Sequence, residues 1–216
     1  MTPAHPHASG HILYAGVPVN AARVAVVLLH GRGGSAEDIL SLTRFLPSEN
    51  TAYLAPQARG NTWYPFSFLS PLEQNEPALS SALLRVQELL ESLASAGIPR
   101  ERIVLAGFSQ GACLALESAV RHPAPFGGVV ALSGGLIGPP GTSWQEGTGL
   151  HGVPVFLGCS DIDPHIPRER VAESARHFAS LGAQVAERIY PGMGHTINEE
   201  ELQTFAGMIR SLHNNR

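Results

Sequence analysis

The chain contains no lysine; all fourteen of its basic residues are arginine. Chemistry that needs an amine is therefore excluded: no Schiff base, no phosphate-loop lysine and no lysine general base. Aspartate is almost as scarce, with only Asp38, Asp161 and Asp163 in 216 residues. The two cysteines, Cys113 and Cys159, allow at most one disulfide and offer neither a C-x-x-C pair nor metal-ligand spacing. Cys113 falls inside an apolar helical pattern and reads as a buried free thiol. No basic run is present, and the net charge is -4, so the electrostatic footprint of a nucleic-acid-binding protein is missing. Long apolar runs are missing too. Residues 24–29 are the longest plainly aliphatic stretch, far short of the ~20 residues of a membrane span. The first residues, MTPAHPHASG, lack a basic segment followed by an apolar core. No secretory signal is expected, and the protein reads as soluble and cytoplasmic. His5, His7 and His11 invite a metal-site reading, but residues 1–9 are expected to form a flexible, solvated arm.

What the sequence does contain is alternation. Short apolar runs at 11–15, 24–30, 52–55, 103–107, 128–132, 153–158 and 185–190 predict strands, several apolar at every position as buried parallel strands are. Amphipathic stretches at 35–46, 77–96, 110–121, 167–181 and 198–212 predict helices. Ser35 begins the first of these with Glu37 and Asp38 in its opening turn, and Asn198 with Glu201 forms a capping-box pattern before the last. The expected fold class is α/β, a mostly parallel sheet with helices on both faces. Neither an internal repeat nor a composition break appears, so residues 1–216 are expected to form one domain. Segments 56–76 and 134–152 are longer than connectivity requires and concentrate Trp63, Tyr64, Phe66, Leu136 and Trp144.

The strand at 103–107 runs directly into G-x-S-x-G and then a helix. That context presents the Ser109 hydroxyl on a sharp strand-to-helix turn, facing free backbone N–H groups at the helix start. The first long strand ends in H-G-R-G-G at 30–34, whose glycines permit an N–H to point into the same site. The oxyanion donors are expected to be the backbone amides of Arg32 and Gln110, with their side-chain identities mattering little. A phosphate loop is disfavoured, because R-G-G lacks the G-x-G-x-x-G spacing and a downstream ribose-binding acid. His30, abutting the strand end, is expected to order the loop. A serine nucleophile needs a base, and His195 alone of the later histidines lies in a glycine-rich loop between the last strand and the last helix. Asp161 and Asp163 are the only aspartates after Ser109. One should orient His195 and the other cap its turn. With His165 they would need further converging ligands to bind a metal, so neither metal nor cofactor is expected.

Taken together, LLHGRGG at 28–34, GFSQGA at 107–112, LSG at 132–134, DPHIP at 163–167 and GMGHTI at 192–197 make the chain resemble the phospholipase/carboxylesterase family of small α/β-hydrolases. That family includes bacterial carboxylesterases and acyl-protein thioesterases. The resemblance implies an α/β-hydrolase fold without a separate cap domain, often as a homodimer, and points to Asp163 as the acid of a Ser109–His195–Asp163 triad. The thioesterase branch usually carries aspartate at the fifth position of its H-G-x-G-D loop, where this chain has Gly34.

The leading expectation is a metal-independent serine hydrolase of small carboxylic esters, working through a covalent acyl-enzyme. Trp63, Tyr64, Phe66 and Leu136 are candidates for its pocket wall. An acyl thioesterase with the same triad is the alternative. A non-catalytic binding module on a hydrolase fold is a more distant one, since it would be expected to have lost at least one triad position.

Overall fold

Val24–Leu29 is fully buried along its length because it lies in the middle of a sheet covered on both faces. The computed structural model describes residues 5–144, 147 and 149–214. Its strands are β1 (Ile12–Gly16), β2 (Val24–Leu29), β3 (Thr51–Pro56), β4 (Ile103–Phe108), β5 (Gly128–Leu132), β6 (Pro154–Ser160) and β7 (Gln184–Tyr190). They form one sheet in the order β1-β3-β2-β4-β5-β6-β7. Only β1 runs antiparallel to its neighbour; each later pairing is parallel.

The helices are α1 (Ala36–Leu40), α2 (Ala78–Ser95), α3 (Gln110–Arg121), α4 (Arg168–Ser180) and α5 (Glu199–Asn214). Strand side chains alternate between faces. Ala25, Val27 and Leu29 pack with α2, α3 and α4 on one side. Val24, Val26 and Leu28 pack with α1 and α5 on the other. Parallel strands covered on both faces present their C-terminal ends at a common edge, where ligand sites of open α/β sheets form.

The single helix expected over 35–46 divides. α1 stops at Leu40 and a 3-10 segment, Ser41–Phe45, follows. The Ser41 hydroxyl donates to the Asp38 carbonyl and Thr43 to that of Leu40. Side chains that bond the preceding turn compete with regular helix geometry and tighten the winding. The start of α1 is as read: Ser35 and Asp38 complete a capping box.

The flexible arm expected over 1–9 needs correction. Residues 1–4 lie outside the described residues, but His5 and His7 are bonded to the fold. His7 is buried; its Nε2 donates to the Trp63 carbonyl, and its Nδ1 accepts the Arg59 N–H. His5 reaches Ser81 and Glu88. Buried backbone groups need partners, and the His7 ring supplies them to the Arg59 N–H and the Trp63 carbonyl. His11 is exposed. Among the described residues no group of three histidine, cysteine, aspartate or glutamate side chains gathers as a metal site. No helix among them is long and apolar enough to cross a membrane.

Buried titratable groups give the fold opposing responses to acid. The expected cap of α5 forms reciprocally: Asn198 accepts from the Glu201 N–H, and the Glu201 carboxylate accepts from the Asn198 N–H. Glu201 is fully buried, and its other oxygen has no partner and lies so close to Gly158 that a Cβ there would come within 2.1 Å. Burial pushes this carboxyl up to about 7. The folded protein therefore holds a proton that the unfolded chain releases above about pH 4.3. The contribution is full below that pH and is lost as pH rises through 7. His7 and His30 behave oppositely. Burial lowers both below the ordinary 6.5, so they cost stability as pH falls below that value. Glu201→Gln removes the favourable half. Its melting temperature should fall more steeply than that of the parent between pH 7 and pH 5, by several degrees on the usual scale for a chain of this size. Parallel profiles would show that Glu201 is ionised throughout that range.

Candidate active site

β4 delivers Phe108 and Ser109 to the C-terminal edge of the sheet, and α3 begins at the next residue. Ser109 is held at φ 55° and ψ -120°. A non-glycine residue at positive φ stores strain of roughly 1–3 kcal/mol, maintained by its surroundings. The surroundings here are two glycines. A Cβ on Gly107 would lie 2.4 Å from the Gly111 backbone, and one on Gly111 would lie 2.1 Å from the Leu29 carbonyl oxygen. Their absent side chains let the turn close against the end of β2.

Three separated segments meet at this turn. The Ser109 hydroxyl lies 2.9 Å from His195 Nε2, and His195 Nδ1 lies 2.7 Å from Asp163 Oδ2. A carboxylate only accepts, so Nδ1–H donates to Asp163 and Nε2 is left to accept from the serine. Asp163 follows β6. Its other oxygen accepts the N–H groups of His165 and Ile166 at 2.8 and 3.0 Å. Burial alone would raise this carboxyl, but the hydrogen bonds from His195, His165 and Ile166 outweigh it and hold it below the usual range. Asp163 therefore stays ionised at neutral pH.

The His195 loop is tied down on both sides. The Gly192 N–H donates to Asp161 and the Gly194 N–H to the Ser160 hydroxyl, at 2.8 and 3.0 Å. The sequence leads to the expectation that the second aspartate caps its own turn; Asp161 instead braces the neighbouring loop. The His195 ring sits between Phe108 and the edge of the His165 ring, at centroid distances of 4.9 and 4.8 Å.

Gln110 is the first residue of α3, so its N–H has no partner a turn earlier. Arg32 stands in the loop after β2, and both residues line a cleft of about 650 Å³ with Ser109 and His195. His30 orders that loop as expected. It is buried, its Nδ1 donates to the Gly31 carbonyl, and its Nε2 accepts the Ala58 N–H.

The expectation that the side chains of Arg32 and Gln110 matter little does not hold. The Gln110 amide oxygen accepts from the Trp63 N–H, and its nitrogen donates to the Tyr64 carbonyl. Arg32 donates to the carbonyls of Pro65 and Phe66 and lies over the Tyr64 ring. Asn75 is fully buried and completes the clamp on Phe66 and Ser67. Segment 63–67 is thus a wall fastened to Arg32 and Gln110, two residues that line the cleft with Ser109. Sequence spacing carries no sign of these contacts.

Of the four pocket candidates, Tyr64 and Phe66 line the cleft. Trp63 and Leu136 do not. Both are fully buried in the core behind it, where Trp63 Nε1 donates to the His30 carbonyl and the Leu136 N–H to Ser174. Bulk and apolarity in a loop do not reveal which side a ring faces. Pro65, Ser67, Phe68, His165 and Ile166 are lining residues the sequence reading missed. Cys113 also lines the cleft, yet burial pushes its thiol up to about 12, as it does that of Cys159. Neither is a thiolate at neutral pH.

The sequence model of a family described as phospholipase/carboxylesterase matches residues 16–213. The acyl-protein thioesterase 1 of Saccharomyces cerevisiae is 28% identical over 89% of this chain and 94% of its own. A probable carboxylesterase of Arabidopsis thaliana, SOBER1-like, is 30% identical over 84% of this chain and 76% of its own. Among solved structures, a phospholipase/carboxylesterase from Dyadobacter fermentans is 44% identical with a TM-score of 0.88, covering 94% of this chain and 97% of that one. With its α/β-hydrolase sheet and this match along most of its length, the chain belongs to the phospholipase/carboxylesterase family of hydrolases.

Proposed function

We propose that the protein hydrolyses small carboxylic esters through a covalent acyl-serine intermediate. The observation that carries this reading is the continuous relay from Asp163 through His195 to Ser109, at 2.7 and 2.9 Å. In the first half-reaction Ser109 Oγ attacks the ester carbonyl while His195 Nε2 takes its proton. The carbonyl oxygen becomes anionic and is held by the amides of Arg32 and Gln110, reinforced by the positive end of α3. The bond from the carbonyl carbon to the alcohol oxygen then breaks, and that oxygen takes the proton from His195. Water enters and is deprotonated by His195. It displaces Ser109, which recovers its proton. Asp163 stays charged throughout, fixing the imidazole tautomer and stabilising the imidazolium.

The cleft supports short acyl groups. Part of its wall is set into the core, where Tyr64 and Cys113 are both fully buried. Likeness to acyl-protein thioesterases keeps a second reading in play, in which the same residues cleave long-chain acyl thioesters. An acyl-length series of p-nitrophenyl esters, assayed beside a palmitoyl thioester, separates the two. The proposal expects kcat/KM to peak at short chains and the palmitoyl thioester to be a poor substrate. A maximum at long chains, with the thioester preferred, would establish the alternative.

A further inference from the structure

His195 separates two concavities. The cleft described above is lined by Ser109 together with Arg32 and Gln110. On the other side a groove of about 910 Å³ runs between the 3-10 segment after α1 and the start of α5, and the two share Phe108 and His195. Leu42, Phe45, Ile197, Leu202 and Ala206 give the groove an apolar surface. Phe45 is 54% exposed, a large ring left in solvent at its rim.

The charges along the groove are unbalanced. Arg44 and Arg210 both line it, and both are exposed. Neither has a carboxylate partner among the described residues. Arg44 lies instead over the Phe45 ring, 4.9 Å from its centroid. The one carboxylate in the lining, Glu199, accepts from the Gln203 amide. Two guanidinium groups against one carboxylate leave an apolar surface with a cationic rim.

Reaction geometry decides which part of a substrate can reach this groove. An ester has two arms, and its carbonyl oxygen must face the Arg32 and Gln110 amides. The oxygen that departs must receive its proton from His195 Nε2, so the alcohol arm leaves on the histidine side. The cleft lined by Tyr64, Phe66 and Phe68 then takes the acyl arm. We propose that the groove between the post-α1 segment and α5 is the leaving-group subsite, and that Arg44 and Arg210 select alcohols carrying both an apolar body and an anionic group such as a carboxylate or phosphate. This rests on the hydrolase reading above and names the substrate class for the same site.

The test compares p-nitrophenyl acetate with its ring-carboxylated analogue, using the parent, Arg44→Gln, Arg210→Gln and the double variant. The ratio of the two kcat/KM values, followed from protein to protein, cancels the intrinsic reactivity of the esters. Each single change should lower the anionic-to-neutral ratio roughly two- to fivefold, and the double change about tenfold, as for exposed charge pairs. Any change in turnover of the neutral ester divides out of this ratio, which isolates the contribution of the anionic group. Added salt should shrink the preference in the parent and have little effect in the double variant. Ser109-dependent turnover of both esters with a ratio that neither the arginine changes nor salt alters would overturn the groove assignment alone. Absence of Ser109-dependent turnover of either ester would overturn the hydrolase reading and this subsite with it.

Discussion

Ser109→Ala should lower ester turnover by roughly 10³-fold or more while leaving the protein folded. The hydroxyl is the only group lost, so no bond to the acyl carbon can form and His195 has no proton to move. The strained backbone at this residue should persist, because the clash-free approach of Gly107 and Gly111 to their neighbours enforces it, not the serine side chain. Alanine keeps the same Cβ, so the melting temperature should move by only a few degrees. Residual activity near that of the parent in a folded variant would remove Ser109 from the mechanism and leave the relay without a purpose.

A comparably large effect is expected at Asp163, with a sharp contrast two residues earlier. Asp163→Asn keeps the size of the side chain and an oxygen for the His165 and Ile166 amides. It removes the charge beside His195 Nδ1 and offers an N–H where an acceptor is required. Turnover should fall by up to about 10⁴-fold, through the wrong tautomer and an unstabilised imidazolium. Asp161→Asn should cost about tenfold at most. Its task is to accept the Gly192 N–H, which an amide oxygen also does. Steady-state kinetics of both variants on a short-chain ester settles the order. A reversed order would make Asp161 the orienting acid, and near-parental rates in both would transfer the role to another carboxylate.

The contrast between these two aspartates illustrates what was legible in the sequence. Each strand was found within a residue or two of its observed ends; β2 to β6 were legible because parallel strands buried on both faces are apolar throughout, whereas the edge strands β1 and β7 are partly exposed. Ser109, His195 and the two aspartates stood out because such chemistry needs rare residue types at strand ends in a fixed chain order. Contacts between side chains and distant backbone were invisible. Nothing in H-G-R-G-G or G-F-S-Q-G announces that Arg32 and Gln110 hold segment 63–66 through its peptide groups. His7 reads as part of a polar terminus until its ring is found bonded to the loop at 59–63. Trp63 and Tyr64 are neighbours of similar character, yet one fills the core and the other faces the cleft. That division depends on where the clamp turns the chain, which no local pattern encodes. The groove beside α5 was missed for the same reason, since its sides come from segments more than a hundred residues apart.

The central claim is that Ser109 becomes covalently acylated, and trapping that adduct tests it most directly. A fluorophosphonate probe should react with the parent protein at one site, and peptide mass spectrometry should place the adduct on Ser109. Asp163→Asn should label far more slowly, and Ser109→Ala should not label there at all. An adduct on another residue, or undiminished labelling of Ser109→Ala, would contradict the account.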